Sequence, residues 1–131
     1  MNYLGLDWGE RKIGIALGSD EVKVASPILD LCYSDLDEAL KEIKKIIDEE
    51  NIKTIVLGQP LKMSGSKDFS REFEIFRKKI KDLGPEVILE DERLSSKMAQ
   101  GLAREREDYK KISDDALAAV VILQAYLDNL P

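Results

Sequence analysis

The chain has 131 residues, 44% hydrophobic and 35% charged with a net charge of −6, which is the length and apolar content of a single folded domain spanning 1–131. It holds no histidine and one cysteine, Cys32, which excludes Ser-His-Asp and Cys-His catalysis, imidazole acid–base chemistry, His-containing zinc sites and any disulfide or cysteine cluster within the chain. No apolar run approaches the roughly 18 residues of a membrane span and no leader-like segment opens the chain, so a soluble, cytoplasmic protein is expected, its chemistry resting on carboxylates, Lys/Arg, hydroxyls or an oxygen-held metal.

Tyr3–Asp7, Ile13–Gly18 and Lys23–Leu31 read as three short strands with tight connections, which makes an antiparallel meander. Pro27 assigns the third to a sheet edge, because proline cannot donate to a ladder. Leu36, Ala39, Leu40, Ile43, Ile46 and Ile47 then recur at helical spacing, with Ser34 or Asp35 as N-cap. Thr54–Gly58 is a continuous apolar strand of the kind covered on both faces in a parallel sheet. A loop rich in Gly, Pro and Ser runs from Gly58 to Lys67. Phe69, Phe73, Phe76, Ile80 and Leu83 mark a second helix that stops at Gly84-Pro85. Val87–Leu89 makes a fifth strand, ending in the acidic run Glu90-Asp91-Glu92. A short helix around Ser96–Ala103, a charged segment to Lys111 and a final helix from about Asp114 to Leu130 complete the order βββαβαβαα. That last helix is apolar nearly all round, so it is expected to be largely buried. The order predicts an α/β fold: a five-stranded mixed sheet, three antiparallel strands then two parallel, with helices on both faces.

Three groups of acids are candidates for chemistry. Asp7 ends the apolar run Leu4-Gly5-Leu6, and a carboxylate there is unfavourable to bury without cationic compensation. Gly5, Gly9 and Gly14 around it are expected to let another chain or a phosphate approach the backbone closely. Glu92 lies just past the C-terminal end of a parallel strand, where ligands collect in α/β sheets. Asp114 and Asp115 open the last helix, where acids also complement the helix dipole. The topology lets the ends of strands one and five and the start of the last helix converge on one sheet edge. Three carboxylates there repel unless divalent metal neutralises them, and all-oxygen ligation suits Mg²⁺ or Mn²⁺. Such a site cuts phosphodiesters by two-metal assistance without histidine.

Four segments carry a family resemblance across essentially the whole chain: Asp7-Trp8-Gly9-Glu10-Arg11-Lys12-Ile13-Gly14-Ile15-Ala16, Leu57-Gly58-Gln59-Pro60-Leu61-Lys62-Met63-Ser64-Gly65-Ser66, Asp91-Glu92-Arg93-Leu94-Ser95, and Asp115-Ala116-Leu117-Ala118-Ala119-Val120-Val121-Ile122-Leu123-Gln124. With them the sequence resembles the YqgF family of ribonuclease H-like proteins, related to RuvC-type Holliday junction resolvases and associated with pre-16S rRNA cleavage. The resemblance implies a ribonuclease H-like nuclease domain in which Asp7, Glu92 and Asp115 take the metal-binding catalytic positions, with Asp114 the alternative for the third. It also implies Mg²⁺ or Mn²⁺ as cofactor. One departure separates the chain from true resolvases: where those carry an acid after the fourth strand, this chain has Gln59, so the second acid comes from Glu92. Gln59 and Ser64 also stand where other residues are more usual within the family.

Charge distribution agrees with a nucleic-acid partner better than net charge does. Residues 62–81 carry a local excess of +4 and residues 97–111 of +2, whereas residues 35–50 carry −4. Phosphate binding needs local rather than total charge. Arg11, Lys12, Lys62 and Arg93 are the candidate nucleic-acid contacts, and Trp8 stacks on a base or packs in the core. The leading expectation is a nuclease for structured RNA, acting at the 5′ end of pre-16S rRNA, with resolution of branched DNA junctions as the alternative. Two readings of other classes stand beside it: a nucleotide-binding domain of the actin/hexokinase type, which needs two such domains to clamp its ligand, and a non-catalytic nucleic-acid-binding module. Symmetric junction cutting requires a homodimer, whereas trimming an RNA end needs only a monomer.

Overall fold

A computed structural model of the chain describes residues 1–59, 71–91 and 112–131. Strands β1 (Asn2–Trp8), β2 (Lys12–Ser19) and β3 (Ser26–Cys32) form the expected antiparallel meander. Helix α1 (Leu36–Glu49) crosses to β4 (Ile52–Gln59), α2 (Arg71–Lys81) crosses to β5 (Glu86–Asp91), and α3 (Asp114–Asp128) closes the described chain. The sheet order is β3-β2-β1-β4-β5, with β1, β4 and β5 mutually parallel. The loop to Lys67 and the short helix expected at 96–103 lie outside the described residues.

Alternation along the strands builds two cores. Leu4, Leu6, Ile13, Ile15, Ile55 and Leu57 face α1 and α2, where they meet Ile43, Phe73, Phe76 and Ile80. Tyr3, Ala16 and Val56 face the opposite way, against Leu117, Val120, Leu123 and Leu127 of α3. At about 1.5–3 kcal/mol per large apolar side chain removed from water, each layer is a major source of stability. The sequence pattern foretells which face each helix uses. Asp35 caps α1 by accepting from the Asp37 N–H at 3.0 Å, and α3 is buried on most of its circumference, as its continuous apolar run requires. No helix among the described residues is long and apolar enough to cross a membrane.

Strand ends shift by one to three residues from the expectation, and two of the shifts have a clear cause. β3 begins at Ser26 rather than Lys23, because Lys23 takes a left-handed conformation (φ 58°) and its N–H closes a turn onto the Ser19 carbonyl at 2.8 Å. The backbone of this segment is satisfied by Gln124 of α3, whose Oε1 accepts from the Ala25 N–H at 2.9 Å while its Nε2 donates to the Lys23 carbonyl at 2.8 Å. β5 runs on through Glu90 and Asp91, which pair with Gly58 and Gln59. β5 is an edge strand, where charged side chains are tolerated. Pro27 does lie in the opposite edge strand, beside a register shift at Ile15/Ala16.

Candidate active site

Because β1, β4 and β5 are parallel, their C-terminal ends share one sheet edge. Leu6 pairs with Leu57, and two residues further along β4 Gln59 pairs with Asp91. On the other flank Asp7 pairs with Gly14, and Gly14 pairs with Asp30. Pleating puts Asp7 on the same face as Tyr3 and Gly5, the face that α3 covers. Asp7 is half-buried there.

Gly14 is where this edge and α3 meet. A Cβ at Gly14 would collide with the Asp115 carbonyl oxygen, so the first turn of α3 rests directly on the backbone opposite Asp7. Only glycine permits that approach. Asp7 and Asp115 are therefore both immediate neighbours of Gly14, and Asp115 is half-buried whereas Asp114 is exposed. The start of α3 is held by Ser113, whose Oγ accepts from the Ala116 N–H at 3.2 Å. The positive end of the helix dipole thus lies over the face that carries Asp7, and it offsets part of the repulsion between the acids.

At Gly5 and Gly14 the close approach that the glycines allow is made by the chain's own helix. A Cβ at Gly5 would stand 2.8 Å from the Leu123 Cβ, and one at Gly9 would stand 2.7 Å from the Lys12 carbonyl oxygen. Gly5 and Gly14 admit α3 of the same chain, and Gly9 shapes the β1–β2 turn. Trp8 points to the other face, edge-on to Phe73 with ring centres 5.6 Å apart and 6.4 Å from Phe76. Its indole is anchored in the core cluster of α1 and α2.

Arg11 and Lys12 are exposed, in and just after the β1–β2 turn, and neither forms an ion pair among the described residues. Glu92, Lys62 and Arg93 lie outside the described residues. Among those described, no three acidic, histidine or cysteine side chains gather closely enough to hold a metal ion. The described structure brings together two of the proposed acids, Asp7 and Asp115. It also shows one acid that sequence reasoning passed over. Asp30, on the far side of Gly14 from Asp7, has a buried Oδ1 with no hydrogen-bond partner. An acid interrupting the apolar strand Pro27-Ile28-Leu29-Asp30-Leu31 was the available signal, but nothing local shows that β3 pairs it with Gly14.

The model of the family described as "RuvX: Holliday junction resolvase" matches residues 1–129. The chain belongs to the RuvX family. This bears out the resemblance carried by the four sequence motifs. Relatives of this RuvX-family chain include proteins named "Putative pre-16S rRNA nuclease" from Acetivibrio thermocellus, 34% identical over 98% of this chain and 96% of that one, and from Carboxydothermus hydrogenoformans, 38% identical over 98% and 96%. Among solved structures it is similar to Thermus thermophilus RuvC, with a TM-score of 0.71 at 12% identity over 95% of this chain and 92% of that one. It is also similar to the fowlpox virus resolvase in complex with Holliday junction DNA, with a TM-score of 0.64 at 13% identity over 98% and 97%. These likenesses establish the ribonuclease H-like fold that the element order predicts.

Proposed function

We propose that this RuvX-family chain is a metal-dependent nuclease that hydrolyses phosphodiester bonds in structured RNA, with the 5′ end of pre-16S rRNA as substrate. The observation that carries the reading is the seating of Asp115 on Gly14, opposite Asp7, at the edge where β1, β4 and β5 end. The donors suit a hard divalent cation: Asp7, Asp115 and Glu92 offer only carboxylate oxygen, the chemistry of Mg²⁺ and Mn²⁺. Asp115 is the third acid in this reading rather than Asp114, because it is the one packed onto Gly14. A divalent ion bound by these residues supplies charge neutralisation and Lewis-acid stabilisation at the phosphorus.

The chain's own residues hold and orient the phosphodiester. Arg11 and Lys12 extend from the turn that follows Asp7 and neutralise the backbone phosphates, and the sequence offers Lys62 and Arg93 as further phosphate contacts. The half-buried setting of Asp7 and Asp115 limits water around the acids, which strengthens their pull on a cation. In the reaction a water oxygen bonds to phosphorus, the bond to the 3′ oxygen breaks in line, and that oxygen leaves with a proton. Relatives at 34% and 38% identity with pre-16S rRNA in their names favour RNA as substrate. The family description and the junction-bound fowlpox structure favour a second reading, resolution of four-way DNA junctions.

The test is a side-by-side assay of a pre-16S leader, a four-way junction and ATP, with Mg²⁺, with Mn²⁺ and with chelator. Cleavage of the leader only when metal is present is the expected result. Cleavage of the junction alone selects the second reading, metal-independent cleavage overturns the metal site, and absent cleavage of both overturns the nuclease. Phosphate contact by Arg11 and Lys12 has a separate signature. Alanine at either position is expected to weaken binding of all sequences alike and to flatten the slope of log affinity against log salt by roughly 0.7–0.9. An unchanged slope in Arg11→Ala and Lys12→Ala assigns both charges to solvated surface.

A further inference from the structure

On the α1–α2 side of the same sheet edge, Trp8, Tyr33, Leu36 and Ile75 line a cavity of about 300 Å³ whose polar lining includes Glu10 and Glu72. We propose that this cavity is a base-reading pocket that takes one unpaired guanine of the nucleic-acid substrate; the proposal rests on the nuclease reading and adds to it a specificity site.

The position supports it first. Trp8 follows Asp7 directly in β1, so the cavity and the acidic face lie back to back at one strand end. The turn that supplies Glu10 also carries Arg11, which places a phosphate-neutralising cation beside the mouth. A strand whose backbone is held at Arg11 and Lys12 therefore has a base within reach of the cavity.

The lining selects the ligand class. Its walls are aromatic and aliphatic, and its volume is at the small end of the range for ligand pockets, which suits one flat heterocycle. Ile75 is 41% exposed although apolar, and a base seated on it would cover it. Trp8 is fixed by Phe73 and Phe76, and Tyr33 by its hydroxyl, which donates to the Gly9 carbonyl at 2.7 Å. The rings are therefore set before a ligand arrives. Burial pushes the Tyr33 hydroxyl above its ordinary value, partly opposed by a hydrogen bond with Trp8, and the nearby Glu10 carboxylate adds to the rise. Tyr33 thus stays protonated and keeps that anchor at physiological pH.

Among the described residues that line it none is cationic, so this lining offers carboxylate acceptors and repels phosphate. Ionised carboxylates only accept hydrogen bonds. Guanine alone among the four bases presents two adjacent donors, N1–H and the N2 amino group, to a carboxylate fork. Adenine and cytosine place a ring acceptor beside their amino group, and uracil flanks its single N–H with two carbonyls. That edge is free only in an unpaired base, which matches how single-stranded segments of RNA are read.

Trp8 is the chain's only tryptophan, so its fluorescence reports on the cavity. The experiment titrates the full chain, in chelator so that nothing is cleaved, with uridine RNA hexamers carrying a central guanosine, inosine, adenosine or uridine. Quenching of Trp8 is expected with guanosine at a concentration at least about tenfold lower than with the other three, the loss of one carboxylate–base pair being worth about that factor or more. Inosine lacks the N2 amino group and is expected to group with adenosine. Glu10→Gln/Glu72→Gln, checked by circular dichroism for an unchanged fold, is expected to erase the preference while binding of the uridine hexamer persists or rises. Equal binding of the four hexamers, or an undiminished guanosine preference in the folded double variant, overturns the pocket. Cleavage of the leader in metal, measured in parallel, separates the two readings. Cleavage without guanosine preference removes the pocket and leaves the nuclease, and preference without cleavage does the reverse.

Discussion

Asp7→Asn is expected to lower metal-dependent cleavage by about three orders of magnitude or more, while the metal-free protein keeps its stability to within about 1 kcal/mol. The two halves of that expectation have separate causes. In the absence of metal, Asp7 lies near Asp115 on a half-buried face, so removing its charge relieves repulsion and desolvation. The same change forfeits its attraction to the positive end of α3, a term of about 0.3–1 kcal/mol of opposite sign. With metal, the amide leaves the ion without an anionic ligand, and ligands that act as a unit fail together. The rise in melting temperature that Mg²⁺ or Mn²⁺ produces by mass action should vanish in the variant. Asp115→Asn and Glu92→Gln should match it, and the double variants should be no worse than the singles. The measurement is melting temperature with and without metal beside the cleavage rate. Retained cleavage together with a large loss of metal-free stability would mean that Asp7 is a structural turn residue.

Gly14→Ala should disable the enzyme through geometry alone. Its added methyl meets the backbone carbonyl of Asp115, an atom that cannot rotate away, so the start of α3 must lift. Overpacking of that kind costs about 1–3 kcal/mol. A displacement of reacting groups by about 1 Å is enough for a hundredfold loss of rate. Gly84→Ala is the control. Gly84 also demands glycine, but for a different reason: its φ is +119° with open space around it. Alanine there strains the α2–β5 connection at the far end of the sheet and should lower stability while leaving cleavage unchanged. If Gly14→Ala cleaves at the parental rate, the seating of α3 does not position Asp115, and the site as drawn is wrong.

Most of the fold was legible because strand and helix faces are written in local periodicity. The alternation in β1 and β2 assigns Leu4, Leu6, Ile13 and Ile15 to one core and Tyr3 and Ala16 to the other, and the unbroken apolar run of α3 announces its burial. Pro27 located an edge strand through the hydrogen bond it cannot make. The acid at the end of β1 also stood out, since a carboxylate closing an apolar strand calls for an explanation within a few residues of sequence.

What local pattern does not encode is which atoms meet across a long loop, and those contacts came only from the tertiary structure. The packing of α3 on Gly14 joins residues a hundred positions apart, and it turned glycines that read as openings for a ligand into a seat for the chain's own helix. Sheet register hid the place of Asp30 beside Gly14, and a separation of about a hundred positions hid the grip of Gln124 on the segment before β3. Separation also hid the role of Trp8, whose neighbours Phe73 and Phe76 belong to a helix more than sixty residues away. The sequence by itself determined the elements, their buried faces and the acids worth weighing. The register between strands and the landing point of α3 decided which of those acids lie beside one another, because both depend on backbone contacts that only the assembled sheet can make.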